Sequence, residues 1–312
     1  MAIEAKAFSP GHITAFFQIC DAPIDPLLKG SKGAGFSIQR GVITKVRVTP
    51  SDHTYVEISI DGKKREANVT QTVVGLALDL ALQKHNQEYD VQITQEMQIP
   101  IGAGYGASAA AALSTALALN QALNLGLTKN NSAQLAHIAE VTHKTGLGDV
   151  IGANRGGLEI RVKPGAPGYG QIDIIPSVCD FDVVCGSVGV LETKEVLSNP
   201  EKRKKINEAG EMLVKELLNE ASIDNLISLS KKFTMQTGLA SPTVINTIKS
   251  LEDAGFEYCS MVMLGQSVFC FVSEKDSNDA CDVFKECMPE GIIFVTKIDN
   301  IGARIIQGGQ TC

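Results

Sequence analysis

The chain has 312 residues, 44% of them apolar, with 29 glycines, no Trp and a formal net charge of −7. That length suits two domains with a sizeable core, and the acidic balance, with Lys and Arg spread along the chain, argues against a nucleic-acid surface; an anionic ligand must be met by locally placed cations. No apolar run reaches the roughly 18 residues that span a bilayer. The start Met1-Ala-Ile-Glu-Ala-Lys6 lacks the design of a signal peptide. The eight cysteines (20, 179, 185, 259, 270, 281, 287 and 312) form no C-x-x-C pair and read as reduced thiols, with Cys312 a frayed end, so the expected location is the cytoplasm.

In chain order, strands are expected over 3–8, 41–49 and 55–60, the last turning at Asp61-Gly62. Lys29-Gly-Ser-Lys-Gly-Ala-Gly35 reads as a glycine-rich loop carrying Lys29, Ser31 and Lys32. Helical spacing of Val73, Val74, Ala77, Leu78, Ala81 and Leu82 predicts a helix over about 70–86, followed by a strand over 91–98. An Ala/Leu-rich helix over 107–123, apolar on nearly every face, is expected to be central and buried. A further helix spans 128–144, with His137, Glu140 and Lys144 on one stripe. After Gly146-Leu-Gly-Asp149 come strands over 158–163, 171–175 and 183–190. A domain boundary is expected near 190–200, taken at 192/193. The C-terminal part alternates charged helices with strands over 258–264, 268–272 and 292–298, and Ser241-Pro242 opens one helix as N-cap and first residue. The pattern is that of an α+β protein, with an antiparallel sheet and helices in the second part.

The segment Pro100-Ile-Gly-Ala-Gly-Tyr-Gly-Ala-Ser-Ala-Ala110 carries the most chemistry. Gly102, Gly104 and Gly106 allow positive φ and let backbone amides approach an anion, and the helix start adds partial positive charge. The cradle comprises Pro100, Gly102, Ala103, Gly104, Tyr105, Gly106, Ala107 and Ser108. It is neither a Walker loop nor a G-x-G-x-x-G turn. Phosphoryl transfer also needs oxygen ligands for Mg²⁺ and a carboxylate at the attacking hydroxyl. Ser108 and Glu140 can supply the first, and Asp149 the second. Each has a structural alternative: Glu140 can pair with Lys144 on the helix surface, and Asp149 or Ser108 can serve a helix start. His137-x-x-Glu140-x-x-His143 is a poor zinc site, because the two histidines lie about 120° apart around the helix.

The ordered set Phe8-Ser-Pro-Gly-His12, Pro100–Ala110, Glu140 with Asp149, and Met263-Leu-Gly-Gln-Ser267 resembles the GHMP small-molecule kinases over nearly the whole chain. Ser9-Pro-Gly-His-Ile-Thr14, Thr145-Gly-Leu-Gly-Asp-Val150 and Arg161-Val-Lys-Pro-Gly-Ala-Pro167 are similar to their archaeal, pantoate-phosphorylating branch. The resemblance implies an N-terminal ribosomal-protein-like βαβ domain and a C-terminal ferredoxin-like domain, with ATP and Mg²⁺ at the cleft between them. It implies phosphorylation of the 4-hydroxyl of (R)-pantoate for coenzyme A synthesis. Ser108 and Glu140 correspond to the metal-associated pair and Asp149 to the catalytic aspartate; a small anionic acceptor needs partners for its carboxylate, and Ser31, His137 and Arg161 are the expected substrate-binding residues. Homoserine or mevalonate as acceptor, a non-catalytic regulator of the same fold, and a homodimer stay open. Where many members carry a lysine this chain has His12, so whether Asp149 takes the proton or only orients the hydroxyl is also open. The late segment has Gly265 alone, which leaves its contribution to the cavity undecided.

Overall fold

A computed structural model describes residues 1–176, 181–190, 196 and 198–306. The boundary expected at 192/193, and Cys179 and Cys312, lie outside the described residues. The first sheet is built on a long antiparallel hairpin, β1 (Ile3–Cys20) and β2 (Gly30–Ser51). One half of β2 carries β5 (Glu88–Met97), which pairs in parallel with β3 (Tyr55–Ile60), itself turned into β4 (Lys63–Lys64). The other half carries β6 (Leu158–Lys163) and, beyond it, β7 (Gln171–Ile174). The second sheet, all antiparallel, has the order β11 (Ile292–Lys297), β8 (Asp182–Gly189), β10 (Gln266–Val272), β9 (Cys259–Val262). The chain therefore changes sheet at β8, before position 192, and β12 (Arg304–Ile305) returns to pair with β1.

The hairpin departs from the expected pattern. Residues 9–20 continue β1, and residues 30–35, expected as a loop, are the first part of β2. The glycines there serve close approach of two backbones rather than flexibility: a Cβ on Gly33 or Gly35 would collide with the carbonyl of Phe16 or Ile13 in the paired strand. A register shift between Pro10 and Gly11 forms a bulge just before His12.

Helices α1 (Asn68–His85), α2 (Ala107–Ala122), α3 (Lys129–His143) and α4 (Asp149–Arg155) follow the expected periodicity for the first three. Helix α2 is buried along almost its whole length, as its composition requires, and packs on β1, β2, α1 and α3. Its alanines let these neighbours approach closely. The remaining helices, α5 (Pro200–Asn219), α6 (Ile223–Thr237), α7 (Pro242–Asp253) and α8 (Ser277–Cys287), belong to the second half. Ser241 caps α7 through the amide of Val244, with Pro242 at its start. One apolar core runs from the hairpin into the second sheet, where Phe36 packs against Phe269 and Phe271. No described helix is long and apolar enough to cross a membrane. Cys20, Cys185, Cys259, Cys270, Cys281 and Cys287 are free thiols, and Cys185, Cys259 and Cys270 are buried.

Candidate active site

Gly102, Gly104 and Gly106 all have positive φ (75°, 88° and 65°), so the loop takes a path that only glycine follows without strain. Gly106 is the N-cap of α2, and no side chain caps that helix start. By helix geometry the first-turn amides of α2 have no intrahelical acceptor and point out of the helix end. The loop is fastened from two sides: the amide of His12 donates to the Tyr105 carbonyl at 3.0 Å, and the Ser267 hydroxyl donates to the Ala103 carbonyl at 2.8 Å. Any Cβ on Gly265 would collide with the Ala103 carbonyl, which explains the single glycine of the late segment.

A cleft of about 100 Å³ opens beside this loop, lined by Gly102–Gly106 glycines, Ser108, Glu140, Gly146, Asp149 and, from the hairpin, Thr14, Phe17 and Ser31. Met263 and Leu264 close it from the second half, so the late segment does contribute to the cavity. A larger, more apolar hollow of about 650 Å³ adjoins it and shares Gly102, Ala107, Ser108 and Thr145; Ile60, Met97, Ile101 and Val190 are among its other lining residues.

Glu140 projects from α3 and is buried. Its Oε1 accepts from the Ser108 hydroxyl at 2.5 Å and from the Thr145 hydroxyl at 2.8 Å, rather than pairing with Lys144 on the helix surface. Burial raises its pKa, the two hydroxyls oppose that, and the nearby Asp149 charge adds to it, for a value of about 7. Against 4.5 for the free side chain, the unfolded protein loses a proton that folded Glu140 keeps as pH rises from about 4.5 to 7. Stability should therefore fall across that window, by on the order of 3 kcal/mol, and stay level above it as far as this group is concerned. Denaturant titrations of metal-free protein at pH 5 and pH 7.5 should show this decline, and Glu140→Gln should reduce it to the smaller part that His12 contributes above about pH 6.5; an equal decline in the variant would contradict the assignment.

Asp149 is the first residue of α4, at 24% exposure, and makes no capping bond. Its Oδ1 instead meets His12 Nδ1 at 2.8 Å. His12 Nε2 meets both carboxylate oxygens of Glu159 at 3.1 Å, and Glu159 is in turn ion-paired to Arg161. Burial works against a charged imidazole, but Glu159 and Asp149 outweigh it and lift the His12 pKa to about 9. A cation thus stands beside Asp149 even though the family's lysine is absent.

Of the expected substrate-binding residues, Ser31 lines the cleft. Arg161 lies just beneath it, fully buried; its Nη1 is held by Glu159, while Nε has no hydrogen-bond partner and sits 2.8 Å from where a Cβ on Gly148 would be. His137 does not reach the cleft. Its Nε2 lies 3.1 Å from the Pro26 carbonyl and 3.0 Å from that of Lys29, so it anchors the turn that delivers Ser31. His143 faces the other way, to the Thr72 hydroxyl at 2.8 Å, and among the described residues no group of three or more His, Cys, Asp or Glu side chains could hold a metal ion. Sequence reasoning gave no role to Thr14, Phe17, Thr145 or Glu159, although Thr14 and Thr145 fall in the stretches that carry the resemblance.

Residues 71–157 match the family described as GHMP kinases N terminal domain. The pantoate kinase of Thermococcus kodakarensis is 36% identical over 88% of this chain and 90% of its own length. The chain belongs to the pantoate kinase family of the GHMP kinases. The Methanocaldococcus jannaschii pantoate kinase is 35% identical over 89% of this chain and 96% of that relative. A solved structure described as a phosphotransferase related to the CoA biosynthesis pathway superposes with a TM-score of 0.87 at 30% identity, covering 99% of this chain and 100% of that one. GHMP kinases are ATP-dependent phosphotransferases, the pantoate kinase relatives make this chain one that acts on a hydroxyl group, and the GHMP kinase fold accounts for both sheets described above.

Proposed function

We propose that the chain transfers the γ-phosphoryl group of ATP to the 4-hydroxyl of (R)-pantoate, giving 4-phosphopantoate and ADP. What carries this reading is the convergence of Glu140 and Asp149, from separate helices, on the gap at Gly146 beside the open start of α2. The amides of residues 102–108 would bind the phosphates, and the larger adjoining hollow would take the nucleoside. Ser108 and Glu140 present only oxygen donors, and a Cβ at Gly146 would fill the space in front of Glu140 Oε2, so the site fits Mg²⁺. Bound there, the ion would neutralise charge on the phosphate oxygens.

In the reaction the hydroxyl oxygen forms a bond to the γ-phosphorus as the bond to the β,γ-bridging oxygen breaks, its electrons leaving with ADP. The hydroxyl proton passes to Asp149, whose Oδ1 is occupied by His12 and whose Oδ2 faces the Gly146 gap. Ser31, which lines the cleft, would meet the pantoate carboxylate, and the buried Arg161, its Nε unpartnered beneath Gly148, would supply positive charge from behind it. ADP release measured with pantoate, homoserine and mevalonate tests the reading: turnover with pantoate should exceed the others by at least about a hundredfold in kcat/KM. No turnover with pantoate would defeat it.

A further inference from the structure

His12, Glu159 and Arg161 are each fully buried, and only Asp149, at the end of their chain of contacts, reaches the cleft. Taking such groups out of water is costly, and apolar side chains of the same volume would hold this part of the sheet at least as well. The arrangement therefore points to a use beyond folding. Both ring nitrogens of His12 face carboxylate oxygens, Nδ1 that of Asp149 and Nε2 those of Glu159. A neutral imidazole can donate only once, so this geometry is satisfied in full only by the imidazolium. The ring packs closely against two glycine backbones. A Cβ on Gly152 would collide with Nε2, and one on Gly35 would lie 3.0 Å from it. The charged groups facing the ring are Asp149 from α4 and Glu159 and Arg161 from β6; Arg161 Nη1, 3.4 Å from Nε2, repels the imidazolium, so Glu159 must offset both.

We infer that Glu159 is a positioning residue for phosphoryl transfer, holding His12 charged and aimed through Nδ1–H at Asp149, with Arg161 fixing Glu159 from behind. This rests on the reading of Asp149 as the group that meets the acceptor hydroxyl. Two measurements test it, only one of which depends on catalysis. In the kcat–pH profile at saturating ATP and pantoate, the wild type should keep its activity up to about pH 9, where His12 loses its proton. Glu159→Gln should move that alkaline limb down by about two pH units, with KM for ATP within about threefold of wild type. Glu159→Asp, which keeps the charge, should restore most of the shift. Independently, ¹⁵N NMR of histidine-labelled protein should show an imidazolium at pH 7.5 in the wild type and a neutral ring in Glu159→Gln. An unmoved alkaline limb in Glu159→Gln, or a neutral His12 in the wild type, would overturn the inference; the second decides even if Glu159→Gln fails to fold. Absence of pantoate turnover with an imidazolium present would instead defeat the functional reading.

Discussion

Asp149→Asn is expected to lower kcat by about 10²- to 10⁴-fold, the usual range for loss of a group that handles a proton in the transition state. The substitution is nearly isosteric, and the amide oxygen can still accept from His12 Nδ1, which lies 2.8 Å from Asp149 Oδ1. What disappears is the negative charge and the capacity to accept a proton at the second oxygen. Asp149 caps nothing and is partly exposed, but its charge helps hold the buried His12 imidazolium, so a moderate loss of stability is expected, while ATP affinity measured by calorimetry should stay within a few-fold of wild type. A fall in ATP affinity as large as the fall in kcat would mean that Asp149 serves nucleotide binding instead. An unchanged kcat would remove it from the chemistry altogether.

The helices around this site were legible because their signals are local. Apolar spacing located α1 and α3, composition alone marked α2 as buried, and the glycine alternation at 102–106 announced a backbone path that the positive φ values bear out. The second half of the hairpin was not legible, because Pro10, Gly11 and the glycines of 30–35 act locally as breakers. Their actual role, admitting the backbone of a strand some twenty residues away, appears only once β1 and β2 are paired. The stripe argument for His137 reaches its limit at a related point: a shared helical stripe with Glu140 says nothing about what covers each end, and the 26–29 turn lies over the His137 Nε2. Glu159 left a readable trace. In the otherwise apolar run from Leu158 to Val162, Glu159 and Arg161 stand two apart and so share one face of the strand, which burial of both requires to be paired.

Gly146→Ala should be the most informative substitution outside the titrating groups. Gly146 has no positive φ, so alanine is compatible with its backbone, and the effect is confined to the added methyl. That methyl would collide with Glu140 Oε2 and lie 3.0 Å from Asp149 Oδ2, between the two carboxylates that define the site. Glu140 cannot simply swing aside, since hydroxyls at 2.5 and 2.8 Å hold its other oxygen inside a buried pocket. Overpacking of this kind costs about 1–3 kcal/mol of stability. The catalytic loss should be larger, because a displacement of about 1 Å at a reacting centre can cost on the order of 10²-fold in rate. kcat/KM for ATP, measured over a range of Mg²⁺ concentrations, should fall by about that factor, with more Mg²⁺ needed for half-maximal rate. Gly75→Ala on α1, where a Cβ would meet nothing within 4 Å, supplies the control and should leave activity unchanged. If Gly146→Ala behaved like that control, the gap between Glu140 and Asp149 could not be where the terminal phosphate and its metal reside.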